Sequence, residues 1–255
     1  MVVEHLKRAW AAYKKNFWPL VGSYLLLTAI TMLLAFLGIA LVMIPFIGYA
    51  VDQIPTESEI ALAAPLVVSG FLVFLIAVVV GTILKCGYIG LAAEALKKKT
   101  KLSTLFDTVR KRWVSLLGTE ILKGIITLFL FAPALFFGLP QLQIAEDGSF
   151  AVGSWSLLCV AILLAIVAAF VSLLFVFNAY AVVLDKTTAV GGIRKSFEFV
   201  RKTYISLLAL VILLAIITLG GSMLPIIGTL IALVFIGPFT ILTLTSFYLS
   251  KKKRR

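Results

Sequence analysis

A single histidine, His5, stands in 255 residues, and there is no second imidazole to complete a common metal set or catalytic triad. The two cysteines, Cys86 and Cys159, fall in apolar stretches without metal-ligand spacing. They read as small buried hydrophobes rather than a disulfide or redox pair. Charge is scarce: Asp, Glu, Lys and Arg make up 13% of the chain, against roughly 25% in soluble domains. That scarcity excludes a soluble globular domain. An intramembrane hydrolase needs a nucleophile with its base, paired acids or a metal. The apolar stretches supply none of these sets, so no catalytic residue, metal site or cofactor is assigned.

What the sequence has in excess is hydrophobicity, 62% of residues, with a mean hydropathy of +1.14. Uncharged runs at 17–51, 60–84, 124–145, 148–184 and 203–250 each exceed the roughly 20 residues that cross a bilayer at 1.5 Å per residue. The last run holds two spans. The net charge of +12 raises nucleic acid as a partner, but the distribution of the bases argues against it. Every Lys and Arg lies within residues 7–15, 85–123, 186–202 or 251–255, whereas the alternate loops carry Asp52, Glu57, Glu59, Glu146 and Asp147 and no base. Lys/Arg-rich loops stay cytoplasmic. The pattern therefore predicts a multi-pass cell-membrane protein with both termini inside and six spans, near 17–43, 62–93, 115–139, 155–184, 204–222 and 226–249. The N-terminus does not read as a cleaved signal, because charge continues to Lys15 and the apolar run that follows is too long for an h-region.

The segment LFDTVRKRWVSLL (Leu105–Leu117) recurs 91 residues later as SFEFVRKTYISLL (Ser196–Leu208). Seven of the thirteen positions are identical without a gap, which reads as an internal repeat. The N-terminus supplies a third copy: Leu6, Trp10, Tyr13 and Phe17 correspond to Leu102, Phe106, Val109 and Trp113, and to Ile193, Phe197, Val200 and Tyr204. Each series steps by 4, 3 and 4, one face of a helix. Basic pairs lie off that face: Lys14 and Lys15, Arg110 and Lys111, Arg201 and Lys202. Proline-containing turns at 43–48, 138–142 and 223–228 mark outer ends. The expected architecture is all-α and integral to the membrane, with three pseudo-repeats near 1–101, 102–190 and 191–255. Each unit would comprise a basic helix lying in the interface and a transmembrane hairpin. Thr104 with Asp107 predicts a variant capping box for the second basic helix.

The run from Trp10 to Leu20, a basic aromatic helix leading into a span, and the segment IRKSFEFVRK (Ile193–Lys202) resemble the six-helix membrane domain attached to some glycerophosphodiester phosphodiesterases. They are similar also to stand-alone six-span prokaryotic families of unassigned function. The resemblance covers most of the chain and implies a membrane domain without hydrolase residues, because the chemistry of the fused proteins resides in a separate soluble domain.

Ionisable residues in spans are the usual functional candidates. Here they are Lys85, Glu94, Glu120, Lys123 and Asp185. One reading is structural: Lys85 snorkels, Glu120 pairs with Lys123 three residues on, and Glu94 and Asp185, themselves 91 apart, tie basic helices to the bundle. The other is a polar pocket for a lipid headgroup or small anion. Asn178 is placed to bond another helix, Pro133 and Pro238 to kink theirs, and His5 to sit at the interfacial surface. Three functions fit: a non-catalytic protein that binds anionic lipids or recruits a cytoplasmic protein, a small transporter for a lipid-like or anionic solute, and an intramembrane lipid-modifying enzyme. The first requires the fewest assumptions.

Overall fold

A computed structural model describes the backbone of all residues except 1, 52–56, 145–149, 223–227, 229–230 and 253–255, and side chains outside 1–2, 44–64, 142–152, 221–227, 229–230, 232–233 and 252–255. The acidic loop residues named above, the 223–227 part of the last proline turn and the end of the basic tail lie outside the described side chains.

Helix α1 (Val2–Lys15) ends at a one-residue break, Asn16, before α2 (Phe17–Val51). Then follow α3 (Glu57–Ala95) and α4 (Ser103–Gly138), a 3₁₀ turn at Leu139–Gln141, and two short strands, β1 (Leu142–Ile144) and β2 (Phe150–Val152). The strands pair antiparallel with Gln143 opposite Ala151. The fourth span is interrupted: α5 (Trp155–Ser172), a 3₁₀ turn at Leu173–Phe175, and α6 (Asn178–Asp185). Helix α7 (Ala189–Ser222) carries the fifth span, and a π-helical turn (Ala232–Ile236) leads into α8 (Gly237–Lys252). Six helical segments are long and apolar enough to cross a membrane: Phe17–Met43, Pro65–Ala95, Ser103–Gln141, Trp155–Asp185, Ala189–Gly220 and Val234–Lys251. The protein is a helical, multi-pass membrane protein.

The expected interfacial helix is a separate element only at the N-terminus. The second and third basic segments are continuous with their spans. Helix α4 has 36 residues, about 54 Å at 1.5 Å each, against a hydrocarbon core of roughly 30 Å. No proline or glycine intervenes between the basic turns and the apolar run of α4 until Gly118, so nothing in the sequence breaks the helix there.

Two compact units divide the chain, residues 1–113 with 211–255, and residues 114–210. In the first unit α2 and α3 form a close hairpin at Gly38 and Gly70, where a methyl on Gly70 would lie 2.8 Å from the carbonyl oxygen of Gly38. Small residues let membrane helices approach this way. The core is formed by Tyr13, Leu20, Val21, Tyr88, Leu91, Ala92 and Leu242, with α1 lying along α8. In the second unit α4 meets α5 through Gly138 and Ala161, and Gly192 of α7 backs onto Val182 and the carbonyl of Asn178.

Replacing Gly70 by Leu is expected to lower the midpoint of detergent-induced unfolding, since overpacking costs about 1–3 kcal/mol. Gly124→Ala, where a methyl meets nothing within 4 Å, should leave the midpoint unchanged or raised.

Candidate functional site

Several described polar side chains bond across elements where basic segments meet the returning spans. The sixth span shows why. Pro238 has no backbone N–H, so the carbonyl four residues earlier, that of Val234, loses its helical donor. The Tyr13 hydroxyl of α1 donates to Val234 O at 2.9 Å. Burial pushes the Tyr13 phenol up to about 12, which keeps it a donor at any physiological pH. The expected kink at Pro238 is thus a π-helical turn with its freed carbonyl satisfied from another helix, whereas α4 runs through Pro133 without a break.

The fourth span repeats the solution with different atoms. Between its 3₁₀ turn and α6, the buried Ser196 of α7 donates to Leu174 O at 2.7 Å and accepts the amide of Phe177 at 3.1 Å. Asn178 is fully buried, and its Oδ1 accepts the amide of Ala179 rather than bonding another helix. The second span is unbroken. There Cys86 donates its thiol to Thr108 O, and Leu105, Thr108 and Val109 lie over Gly87 and Gly90.

Four of the five ionisable candidates, Glu94, Glu120, Lys123 and Asp185, occupy local pairs. In the first unit Glu94 accepts the Thr104 hydroxyl and meets Lys98 at 3.1 Å. Thr104 therefore does not start α4 as a capping box: its hydroxyl is donated back to α3. In the second unit Glu120 and Lys123 approach to 3.9 Å, and Asp185 accepts Lys195 at 3.4 Å. Lys85 is half-buried on α3. Among the described residues no cluster of three or more His, Cys, Asp or Glu could hold a metal.

On α1 the residues turned inward are His5, Ala9, Ala12 and Tyr13; of the Leu6–Trp10–Tyr13–Phe17 series Tyr13 is buried, Leu6 and Phe17 are half-buried and Trp10 is exposed. His5 is buried, edge-on to Phe247 at 5.3 Å and with Ser250 Oγ 3.4 Å from its ring. It is not an interfacial surface residue. Burial pushes its pKa below the ordinary 6.5; Glu4 opposes this, while Lys251 and Arg8 reinforce it. The aromatic at the second position of each series instead faces out: Trp10 is 43% exposed, Phe106 70% and Phe197 42%. The six paired bases, Lys14, Lys15, Arg110, Lys111, Arg201 and Lys202, are also exposed.

The model of a domain-of-unknown-function family, DUF7847, matches residues 40–251. The chain belongs to that family. No curated protein and no solved structure matches it. In this DUF7847 member α1 and the first part of α2 precede the matched region, so Tyr13 and Asn16 lie outside it while Ser196 and Val234 lie within it.

Sequence reasoning missed Tyr13 as a donor, Ser196 as a bridge and Asn16 altogether. The signal was available for the first: a proline inside a span asks which hydroxyl serves the carbonyl four residues before it. For Ser196 no signal existed, because no proline marks the break in the fourth span.

Ser196→Ala should strand both Leu174 O and Phe177 N–H in this DUF7847 protein, costing about 1–3 kcal/mol, read as a lower unfolding midpoint in detergent. The exposed Ser156→Ala serves as the control. For His5 the folded protein binds its proton less readily than the unfolded chain does. Stability is therefore full above the ordinary pKa of 6.5 and falls as pH drops through it. Thermal scans between pH 8 and 5 should show this loss, and His5→Gln should flatten it.

Proposed function

We propose that the protein is a non-catalytic, lipid-interacting or scaffolding component of the cell membrane, with both termini cytoplasmic and a basic collar at the inner leaflet. The observation that carries the reading is the shared exposure of Trp10, Phe106 and Phe197 beside three exposed basic pairs. An aromatic at headgroup depth with Lys or Arg beside it suits an anionic interface, and each base contributes on the order of 1 kcal/mol there. Membrane lipids, anionic ones above all, are the partners, and a cytoplasmic protein docking on the collar is a further partner.

A pseudo-repeated architecture belongs to the same proposal. Its support is that contacts recur at the offset of the sequence repeat: Glu94 with Thr104 and Asp185 with Lys195, Cys86 with Thr108 and Phe177 with Phe199. In the remaining copy α1 lies along α8, so the N-terminal basic helix serves the last span. The resemblance to the membrane domain of glycerophosphodiester phosphodiesterases is proposed for architecture alone.

Transport is the second reading, favoured by one observation. One returning span, the fourth, is interrupted, and another, the sixth, carries a π-helical turn; discontinuous helices form transporter binding sites. Lys85 and Glu94 in the first unit, and Glu120, Lys123 and Asp185 in the second, are candidate polar groups under either reading.

Changing the six collar bases to Gln is expected to abolish preferential retention of anionic over zwitterionic lipid through purification, measured by lipid mass spectrometry. Unchanged retention, together with saturable uptake of an anionic solute by proteoliposomes, would replace the lipid reading with transport.

A further inference from the structure

We propose that the α3–α4 loop, pinned against the α1–α2 junction, is a binding site for the headgroup of a lipid bearing two phosphodiesters. The inference rests on the lipid-interacting reading and joins the collar's Lys14 and Lys15 to loop lysines that lie outside the collar.

The pin is Asn16, 1% exposed. Its Nδ2 donates to Ala12 O at 3.2 Å and Ala95 O at 3.3 Å, and its Oδ1 accepts the Thr100 amide at 2.9 Å and the Thr100 hydroxyl at 3.2 Å. These are all four bonds a side-chain amide can make. Lys15 adjoins Asn16, and Lys99 and Lys101 flank Thr100. One buried side chain thus anchors three lysines from two chain segments within a residue step, about 3.8 Å between Cα atoms, of a single hydrogen bond. Lys14, Lys97 and Lys98 extend the cluster, and all six are exposed. The acid beside them, Glu94, is already engaged by Thr104 and Lys98.

Like charges held this close repel, and bases that only set topology need no such clamp, because the orientation rule counts charges without regard to their arrangement. The clamp therefore points to a ligand that offsets the repulsion. Its depth is that of headgroups: the spans Phe17–Met43 and Pro65–Ala95 both end here, and Trp18, 80% exposed, marks the interface. Lysine ammoniums are compact point charges suited to phosphate. Lys15 adjoins the Asn16 partner of the bond and Lys99 and Lys101 the Thr100 partner, so the bases are carried by two segments, and two linked phosphodiesters can engage both where one engages a single segment.

The test is native mass spectrometry of the full chain in mild detergent, titrated with cardiolipin (two phosphodiesters), phosphatidylglycerol (one) and inorganic pyrophosphate. One cardiolipin should bind about tenfold tighter than phosphatidylglycerol. Lys15→Gln with Lys99→Gln and Lys101→Gln should weaken it about a hundredfold, whereas Lys186→Gln with Arg194→Gln and Lys195→Gln, the same charge change, should leave it within about twofold. Asn16→Ala should weaken it with no change of charge, and if that variant fails to fold the two triple variants decide. Equal losses in both triples, or no preference for cardiolipin, would overturn the site. Pyrophosphate binding as tightly as cardiolipin would overturn the lipid and leave a soluble phosphate ligand. Retention of anionic lipid that ignores Lys15, Lys99 and Lys101 sinks this inference alone, while no retention of any anionic lipid sinks the proposed function.

Discussion

In hydrocarbon an unpaired backbone carbonyl or amide has no water to turn to, and each costs several kcal/mol. Pro238 creates one such carbonyl at Val234, and the change from 3₁₀ to α-helix near Phe177 creates an orphan pair. Both breaks are closed by side chains of basic helical segments, Tyr13 and Ser196. The sixth span shows how far the requirement reaches. Tyr13 must sit beside the π-helical turn, so α1 must lie along the end of the chain, and Ala9 and Ala12 must be small enough to let it approach.

The basic segments consequently have two faces with different tasks. The inner face, His5, Ala9, Ala12 and Tyr13 on α1, or Ser196, Phe199 and Val200 on α7, is occupied by the returning span. The outer face presents an aromatic and a pair of bases. A segment docked firmly on one side can hold charge at a fixed place on the other, which an isolated surface helix cannot. In the lipid reading proposed above, structural stitching is what gives the collar its geometry, and the Asn16 clamp extends the same logic to the α3–α4 loop.

Much of the fold was legible in the sequence because its causes are compositional. Span number and approximate position follow from runs of apolar residues interrupted by clustered bases, and the Glu120–Lys123 pair follows from helical spacing. Less legible was which side of each basic segment is buried. Leu6, Trp10, Tyr13 and Phe17 are the more hydrophobic stripe, yet His5, Ala9 and Ala12 are inside, because close helix packing selects for smallness and a hydropathy pattern selects for size. In a membrane the large apolar residues have lipid to face, so hydrophobicity loses its power to tell inside from outside. His5 was misread for that reason. Thr104 was misread because a capping box considers only the residues of its own helix, whereas its hydroxyl is taken by Glu94 across the turn. Asn16 carried no signal in the sequence, since its four partners lie in two segments about 80 residues apart.

The docking of the first basic helix along the last span is the contact from which the rest follows, and crosslinking in native membranes tests it directly. His5→Cys and Ser250→Cys, in a chain with Cys86→Ala and Cys159→Ala, place two thiols where Ser250 Oγ now lies 3.4 Å from the His5 ring. Near-complete closure by a short bismaleimide, with none for His5→Cys paired with Leu37→Cys, is the expected result. Equal and slow reaction of both pairs would mean that α1 lies free of α8, and the account of the stitched spans would fall with it.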